Sequence, residues 1–307
     1  MKLALPDLVS NSYFPALAAV ELGFFRDEGL DVAHELVFPV SASFAALRDG
    51  GCDFVAGSSH AGLAAFPRFA GQRLLCALSH GMYWFLVMRK DLNIARGDLS
   101  ALRGRRLVAA PMVDVGLRLM LRAGGMDPAA NDITIMPLPG GVPHGVSFGV
   151  AAAEALGAGT IDGFWANGMG AEVAVERGVG AIVIDVRRGD GPAAAFGFTQ
   201  PALVATERLL AERPEAAAAA VRAIVRTHRA LKADVGLAAQ VGRKLFPEFE
   251  AGLIGRLIER DLPYYSTVIS RDFVASMNRF AVDAGMLDAP VDYEHIVAPA
   301  VEGLWER

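Results

Sequence analysis

Cysteine is scarce in this sequence, because Cys52 and Cys76 are the only two among 307 residues. Each lies within or beside an apolar run, which is the usual setting of a buried structural thiol. We therefore expect two buried thiols rather than a disulfide or a metal site. Cysteine usage does not indicate the cellular compartment.

A surplus of basic residues is also lacking, since 29 Lys and Arg stand against 34 Asp and Glu, for a net charge of −5. Nucleic-acid binding is not expected without such a surplus to neutralise phosphates. No segment reaches the roughly 18 uninterrupted apolar residues of a membrane span. The N-terminal apolar stretch is broken by Pro6 and Asp7 and is too short for a signal peptide. We expect a cytoplasmic protein, or a periplasmic one whose leader is omitted from this sequence.

What the sequence does have is 53% hydrophobic residues, enough to bury a substantial core in one large or two ordinary domains. Strand-like and helix-like segments alternate in the first ninety residues, which predicts a parallel sheet covered on both faces. The strands are predicted at Leu3–Val9, Leu30–Phe38, Phe54–Ala56 and Leu74–Ser79, and the helices at Phe14–Phe25, Ser41–Arg48 and His60–Ala70. The same order of elements restarts at Arg106 and runs to Val186.

A short phrase occurs once in each block, as ALRDGGCDFVAG from position 46 and as ALGAGTIDGFWA from position 155. Its glycine stands where a helix C-terminus takes a left-handed residue, and its aspartate, Asp53 or Asp162, opens the next strand. We interpret both phrases as helix–strand connectors that build the fold. The loops after them, Ser58–His60 and Asn167–Gly170, fall at the carboxyl ends of strands, where ligands bind in such sheets.

These patterns predict an α/β protein of two doubly wound lobes joined by a hinge of two crossings, with a helical C-terminal part. Strand 85–88 is predicted to carry the chain to the second lobe, and segment 196–206 is predicted to carry it back. Lobe 1 is predicted to comprise residues 1–88 and 200–307, and lobe 2 residues 89–199.

Five elements follow one another in a recognisable order: NSYFPA from Asn11, ELGFF with EGLDV from Glu21 and Glu28, the phrase around Asp53, VMRKD with DLSALRGRR from Val87 and Asp98, and IDGF from Ile161. In this order they resemble the ABC-transporter solute-binding proteins of the SsuA, TauA and ThiY type, which are related to the thiamine-pyrimidine synthases. The resemblance covers roughly residues 3–206. It implies the type II periplasmic-binding-protein fold, in which a small molecule is captured between two hinged lobes.

The resemblance also implies ligand-binding positions in four loops. They fall on Asn11, Ser12, Tyr13, Phe14, Ser58, Ser59, His60, Asp114, Trp165 and Asn167. Tyr13, Phe14 and Trp165 can stack on a flat ligand, or can instead pack in the core. The serines and Asn11 offer hydrogen bonds, and His60 is either a cleft residue or a surface residue at a helix start.

The second-lobe helix start departs from the sulfonate-binding relatives, which usually present hydroxyl residues there. The stretch Ala110–Gly116 has no Ser or Thr, and Pro111 removes a backbone donor. Asp114 would repel an anion or, as a helix N-cap, take up the free N–H groups itself. We therefore expect a neutral or cationic heteroaromatic ligand, such as a pyrimidine-like one, or a larger apolar-aromatic molecule.

Solute binding for an ABC importer is the favoured function, with a cytoplasmic enzyme on the same scaffold or a ligand sensor as alternatives. A related desulfinase uses a cysteine nucleophile in the first loop, where this chain has Ser12, and a Ser12–His60 pair lacks a placed carboxylate. The related fungal pyrimidine synthase uses a cysteine-rich iron motif that two cysteines cannot supply. We expect no cofactor or metal, a monomer, and a permease partner if the protein is exported.

Overall fold

The computed structural model describes residues 1–306. The chain divides into two compact units, of which the second is Gly81–Phe198 and the first combines Met1–His80 with the chain from Thr199 onward. None of the helices in the described range is long and apolar enough to span a membrane.

Ten strands and twelve α-helices are formed within residues 1–306. The strands are β1 (Lys2–Leu5), β2 (Ala33–Leu36), β3 (Phe54–Ser58), β4 (Gln72–Ala77), β5 (Phe85–Arg89), β6 (Arg106–Ala109), β7 (Thr134–Met136), β8 (Gly163–Ala166), β9 (Gly180–Asp185) and β10 (Pro201–Thr206). The helices are α1 (Phe14–Glu21), α2 (Phe24–Asp27), α3 (Val40–Arg48), α4 (Val113–Ala123), α5 (Phe148–Gly157), α6 (Gly168–Glu176), α7 (Glu207–Glu212), α8 (Pro214–Ala233), α9 (Gly236–Leu245), α10 (Glu248–Asp261), α11 (Arg271–Asp283) and α12 (Tyr293–Ile296).

The first unit contains a five-stranded sheet in the order β2-β1-β3-β10-β4. β1 runs parallel to β2 and β3, whereas β10 runs antiparallel to both of its neighbours. The C-terminal helices belong to this unit. Arg222 and Arg226 of α8 form ion pairs with Glu28 at 2.6 Å and Asp27 at 2.9 Å, which fasten α8 to α2.

The second unit repeats this arrangement, with the strand order β7-β6-β8-β5-β9. Here β5 is the antiparallel member, hydrogen-bonded between β8 and β9. Residues 85–88, placed in lobe 1 from the sequence, therefore pair within the second sheet. The boundary between the units differs from the predicted one because β5 and β10, the strands that follow the two crossings, each pair within the sheet of the unit that the chain enters. The predicted α/β fold of two lobes is confirmed.

The repeated phrase has the same structural role in both units. Gly50 and Gly159 have φ values of 77° and 72°, in the left-handed region that favours glycine. The Asp53 carboxylate accepts a hydrogen bond of 2.8 Å from the backbone N–H of Lys2, the first residue of β1. The Asp162 carboxylate accepts a bond of the same length from Arg106, the first residue of β6. Both aspartates thus tie one strand to its parallel neighbour, which confirms their predicted role in building the fold.

Two predicted helices are divided in the structure. The segment Phe14–Phe25 forms α1 and the short α2, because Gly23 at φ 82° interrupts the helical backbone. The segment His60–Ala70 forms two 3-10 helices, Ser59–Ala64 and Pro67–Phe69, rather than one α-helix. Pro67 cannot donate a backbone hydrogen bond, and Arg68 follows it with φ 56°, so a single helix cannot continue.

Candidate functional site

The carboxyl edge of the first unit's sheet carries a group of buried polar side chains. β1 and β3 are parallel neighbours, so the loops that follow them leave the sheet at the same edge. β10 is antiparallel to β3, with Pro201 opposite Ser58, so the residues before β10 reach this edge too. We call this group the first-unit polar cluster, and its members, each at most 2% exposed, are Ser10, Asn11, Ser12, Ser58, Ser59, His60, Thr199 and Gln200.

Asn11 is held in this cluster through its side chain and its backbone. Its Nδ2 donates a hydrogen bond to Oδ2 of Asp261. The Tyr265 hydroxyl donates to its backbone carbonyl oxygen at 3.0 Å. The other side-chain atom, Oδ1 of Asn11, is buried and has no hydrogen-bond partner within residues 1–306.

Two serine hydroxyls in the cluster are also buried without a hydrogen-bond partner. Oγ of Ser12 and Oγ of Ser58 are buried and have no partner in the described part of the chain. A buried polar atom without a partner costs about 1–3 kcal/mol, so folded proteins rarely retain one without a ligand, ion or water to satisfy it. The loops predicted to bind a ligand thus carry three polar atoms that can bond to one.

Ser59 and His60 attach their loop to the segment that precedes β10. The Ser59 hydroxyl donates to the Gln200 carbonyl oxygen at 2.7 Å, and its backbone N–H donates to the same atom at 2.9 Å. Nδ1 of His60 lies 2.9 Å from Oγ1 of Thr199. These contacts fix the loop after β3 at the sheet edge.

His60 is fully buried, so the alternative of a surface histidine at a helix start is wrong. Its ring packs edge-on against Phe280, with centroids 5.2 Å apart. Because Oγ of Ser12 has no partner among residues 1–306, the Ser12–His60 pair considered for catalysis is not hydrogen-bonded. Ser12 and His60 therefore do not form a hydrogen-bonded nucleophile–base pair in this structure.

The two aromatic residues of the first loop have different surroundings. Phe14 is fully buried, with its ring 6.4 Å from Phe246 in a T-shaped arrangement, so its contacts are those of the core. Tyr13 is 6% exposed and precedes α1, where its carbonyl oxygen accepts hydrogen bonds from Ala16 and Leu17. Stacking of either ring on a ligand stays a prediction.

Trp165 lies in β8, the central strand of the second unit's sheet. Its side chain is fully buried and its ring meets that of Trp84 in a T-shaped contact, with centroids 6.3 Å apart. Nε1, which can only donate a hydrogen bond, has no acceptor within residues 1–306. The residue therefore combines core packing with an unpartnered donor.

Helices α4 and α6 begin after strands of the second unit's sheet, and their first N–H groups bond to acceptors within the same segment. Oδ1 of Asn167, the N-cap of α6, accepts hydrogen bonds from Met169 at 3.1 Å and Gly170 at 3.3 Å. At α4, the N–H groups of Val113 and Asp114 both donate to the Ala110 carbonyl oxygen at 3.0 Å. Few donors are left at either helix start to grip an anion.

Of the two alternatives considered for Asp114, the one in which it is the N-cap of α4 is wrong. The N-cap position is Met112, in the left-handed region at φ 71°, and Asp114 lies in the first turn of the helix. Its Oδ2 instead accepts a hydrogen bond of 3.1 Å from Nε of Arg118, four residues later. This ion pair offsets the negative charge that the sequence analysis had set against an anionic ligand.

Three residues that the sequence analysis did not single out support the first-unit polar cluster. Asp261 and Tyr265 bond to Asn11 from a distance of roughly 250 residues along the chain. The imidazole of His228 in α8 stacks on the Tyr265 ring, with centroids 5.2 Å apart and an angle of 26°. No local sequence pattern indicates such distant partners; the buried, polar character of these positions becomes visible only once the helices are packed.

Acidification is expected to destabilise the protein through His228. Burial lowers the pKa of its imidazole from the ordinary 6.5 to about 3, and the nearby Lys232 charge adds to this. Between these two values the unfolded chain binds a proton that the folded chain does not, so the free energy of unfolding falls as pH falls. From pH 7 to pH 5 this group alone accounts for a loss of about 2 kcal/mol.

Urea unfolding of the wild type and of His228→Phe at both pH values measures this contribution. The variant is expected to lose about 2 kcal/mol less than the wild type over this interval. His295→Gln, at an exposed histidine, is the control and should behave as the wild type does. Equal losses in the wild type and in His228→Phe would contradict the assignment.

The cysteines are free and buried, as the sequence predicted. Burial raises the pKa of the Cys52 thiol to about 12 and raises that of Cys76 as well. Both thiols are therefore protonated at neutral pH and are poor nucleophiles. Within residues 1–306 no group of three or more His, Cys, Asp or Glu side chains is arranged to hold a metal ion.

Comparison with solved structures gives matches over almost the whole chain. A protein from Bordetella bronchiseptica RB50 superposes with a TM-score of 0.78 at 22% identity, over 98% of this chain and 95% of that one. The alkanesulfonate-binding protein SsuA from Xanthomonas axonopodis pv. citri, bound to MOPS, gives 0.72 at 14% identity, over 98% and 96%. A mutant of DSZB in complex with biphenyl-2-sulfinic acid gives 0.67 at 16% identity, over 99% and 98%.

At these identities the matches show a common fold, and they confirm the resemblance in fold to SsuA-type proteins. Curated protein sequences gave no significant match. The family model described as NMT1/THI5 like matches residues 10–234, which include the whole of the first-unit polar cluster and all of the second unit. The chain therefore belongs to the NMT1/THI5-like family.

Proposed function

We propose that this protein is a solute-binding protein that captures a small aromatic or heteroaromatic molecule for an ABC importer. The observation that carries the proposal is the set of buried polar atoms without partners at the first unit's sheet edge, within residues 1–306: Oδ1 of Asn11, Oγ of Ser12, Oγ of Ser58 and Nε2 of Gln200. Hydrogen bonds from a ligand would remove the cost of leaving them unsatisfied. Their place at the carboxyl ends of β1 and β3 is where ligands bind in open α/β sheets.

The proposed ligand is neutral or cationic. The helix starts that would grip an anion have their first N–H groups bonded to Ala110 and Asn167. The negative charge of Asp261 lies directly behind Asn11, and it disfavours an anionic group at that point. The aromatic character of the proposed ligand is a separate expectation from the second unit, where Trp165 has a large ring and an unpartnered indole N–H that suit a flat ligand with an acceptor.

Transport is favoured over catalysis on this scaffold. The likeness to DSZB shows that the fold is shared with a protein that binds an aromatic sulfinic acid. In this chain, however, the hydroxyl of Ser12 has no partner among the described residues, and both thiols have raised pKa values. We therefore propose that the protein releases its ligand chemically unchanged. If the protein is exported, the ligand passes to a permease. The protein is proposed to act as a monomer.

Isothermal titration calorimetry tests the ligand class. Neutral and cationic monocyclic and bicyclic aromatics are expected to bind with micromolar dissociation constants, and alkanesulfonates of similar size are expected to bind at least about tenfold more weakly. Ser12→Ala and Ser58→Ala should each weaken aromatic binding, since each removes a hydrogen bond that a desolvated ligand cannot replace. Micromolar binding of alkanesulfonates would overturn the proposed ligand class.

A further inference from the structure

The orientation of the Asn11 side-chain amide is set by its neighbour. Asp261 is fully buried, and its carboxylate lies 3.6 Å from Nε of Arg260, so it is held as an ion pair. An ionised carboxylate accepts hydrogen bonds but cannot donate them. The amide group must therefore turn its NH₂ toward Asp261, which leaves the amide oxygen, Oδ1, on the opposite side.

Asn11 is thus a member of the first-unit polar cluster that sets a direction for hydrogen bonding. The hydroxyls of Ser12 and Ser58 can rotate and can either donate or accept. Oδ1 of Asn11 can only accept, and it is buried without a partner within residues 1–306. The Tyr265 hydroxyl fixes the Asn11 backbone at 3.0 Å, so the amide cannot move away with its loop without breaking that bond.

We infer that the ligand presents an N–H or O–H donor to Oδ1 of Asn11, and that Asp261 is the positioning residue that selects for this donor. The inference rests on the proposed function and narrows its ligand to molecules with such a group, for example a ring N–H, an amine or an amide. A ligand with only acceptors at this point would place two electron-rich atoms against each other in a buried site. The negative charge of Asp261 strengthens the amide dipole and thus the preference for a donor.

Two isosteric probes test the inference. Indole and benzofuran have the same bicyclic shape, but only indole has an N–H donor. Ligand-observed NMR titrations are expected to show that the wild type binds indole at least about tenfold more tightly than benzofuran. In Asp261→Asn, residue 261 can itself donate to Asn11, so the preference is expected to fall below about threefold. Asp272→Asn, at an exposed aspartate in the first turn of α11, is the matched control and should keep the wild-type preference.

Each outcome decides a different claim. Equal affinities for the two probes in the wild type would overturn the donor inference and leave aromatic binding intact. A preference that persists in Asp261→Asn would overturn the positioning role of Asp261. Binding of neither probe to the wild type would count against the proposed aromatic ligand and the inference together.

A second measurement on the wild type does not depend on whether Asp261→Asn folds. The side-chain NH₂ group of Asn11 is expected to exchange its Nδ2 hydrogens slowly in ¹⁵N-resolved NMR spectra, because it is buried and bonded to Asp261. Fast exchange, at the rate of an exposed asparagine, would show that the amide is not held and would overturn the positioning role.

Discussion

Trp165→Ala is expected to weaken ligand binding by more than about tenfold, and to lower the free energy of unfolding by about 3–5 kcal/mol. The stability loss follows from the complete burial of the indole and its contact with Trp84. The loss of binding follows from removing both a stacking surface and the unpartnered Nε1 donor.

Trp165→Phe separates the two effects. It keeps part of the ring packing against Trp84 and removes the N–H donor together with one of the two fused rings, so binding should weaken with a smaller loss of stability than in Trp165→Ala. Trp305→Phe is the matched control, because Nε1 of Trp305 donates to the Leu75 carbonyl oxygen at 2.8 Å and has a structural role. Calorimetry with the best-binding aromatic and urea unfolding give the two quantities. Unchanged affinity in Trp165→Ala would show that this residue does not contact the ligand.

Gly170→Ala is expected to destabilise the second unit by about 2–3 kcal/mol. A Cβ at this position of α6 would come within 2.5 Å of Cα and 2.7 Å of C of Gly149 in α5. Both atoms belong to the backbone, so relief requires the two helices to move apart. The loss is expected despite the better helix propensity of alanine.

Gly252→Ala in α10 is the control for this substitution. No heavy atom lies within 4 Å of a Cβ built there, so alanine should stabilise the helix by up to about 1 kcal/mol. Urea unfolding of both variants gives the comparison. A Gly170→Ala variant as stable as the wild type would show that α5 and α6 are not in the close contact described.

Local signals were enough to predict the architecture. The repeated phrase marks a helix end, a left-handed glycine and an aspartate that bonds to the neighbouring strand, and all three depend on residues close in sequence or on the pairing of parallel strands. The same logic located the loops after β1 and β3, because the carboxyl ends of parallel strands share an edge.

The hydrogen-bond partners and side-chain orientations in the site could not be predicted from local sequence. Whether Ser59 binds a ligand or the Gln200 carbonyl depends on the segment just before β10, since Gln200 lies 141 residues further along the chain. The orientation of Asn11 depends on Asp261, in a helix that the sequence analysis assigned only in outline. The residue type of Asp114 allows it to cap α4, but the left-handed Met112 occupies the N-cap position, and Arg118 binds the Asp114 carboxylate.

Native mass spectrometry of the purified protein tests the proposed function most directly. A small organic molecule with a hydrogen-bond donor is expected to be bound non-covalently at one per chain, to be retained by the Asp272→Asn control, and to be lost or reduced in Ser12→Ala and Ser58→Ala. It should be recovered chemically unchanged after incubation with the protein. Recovery of a converted molecule, or equal occupancy in the wild type and both serine variants, would contradict solute binding at the first-unit polar cluster.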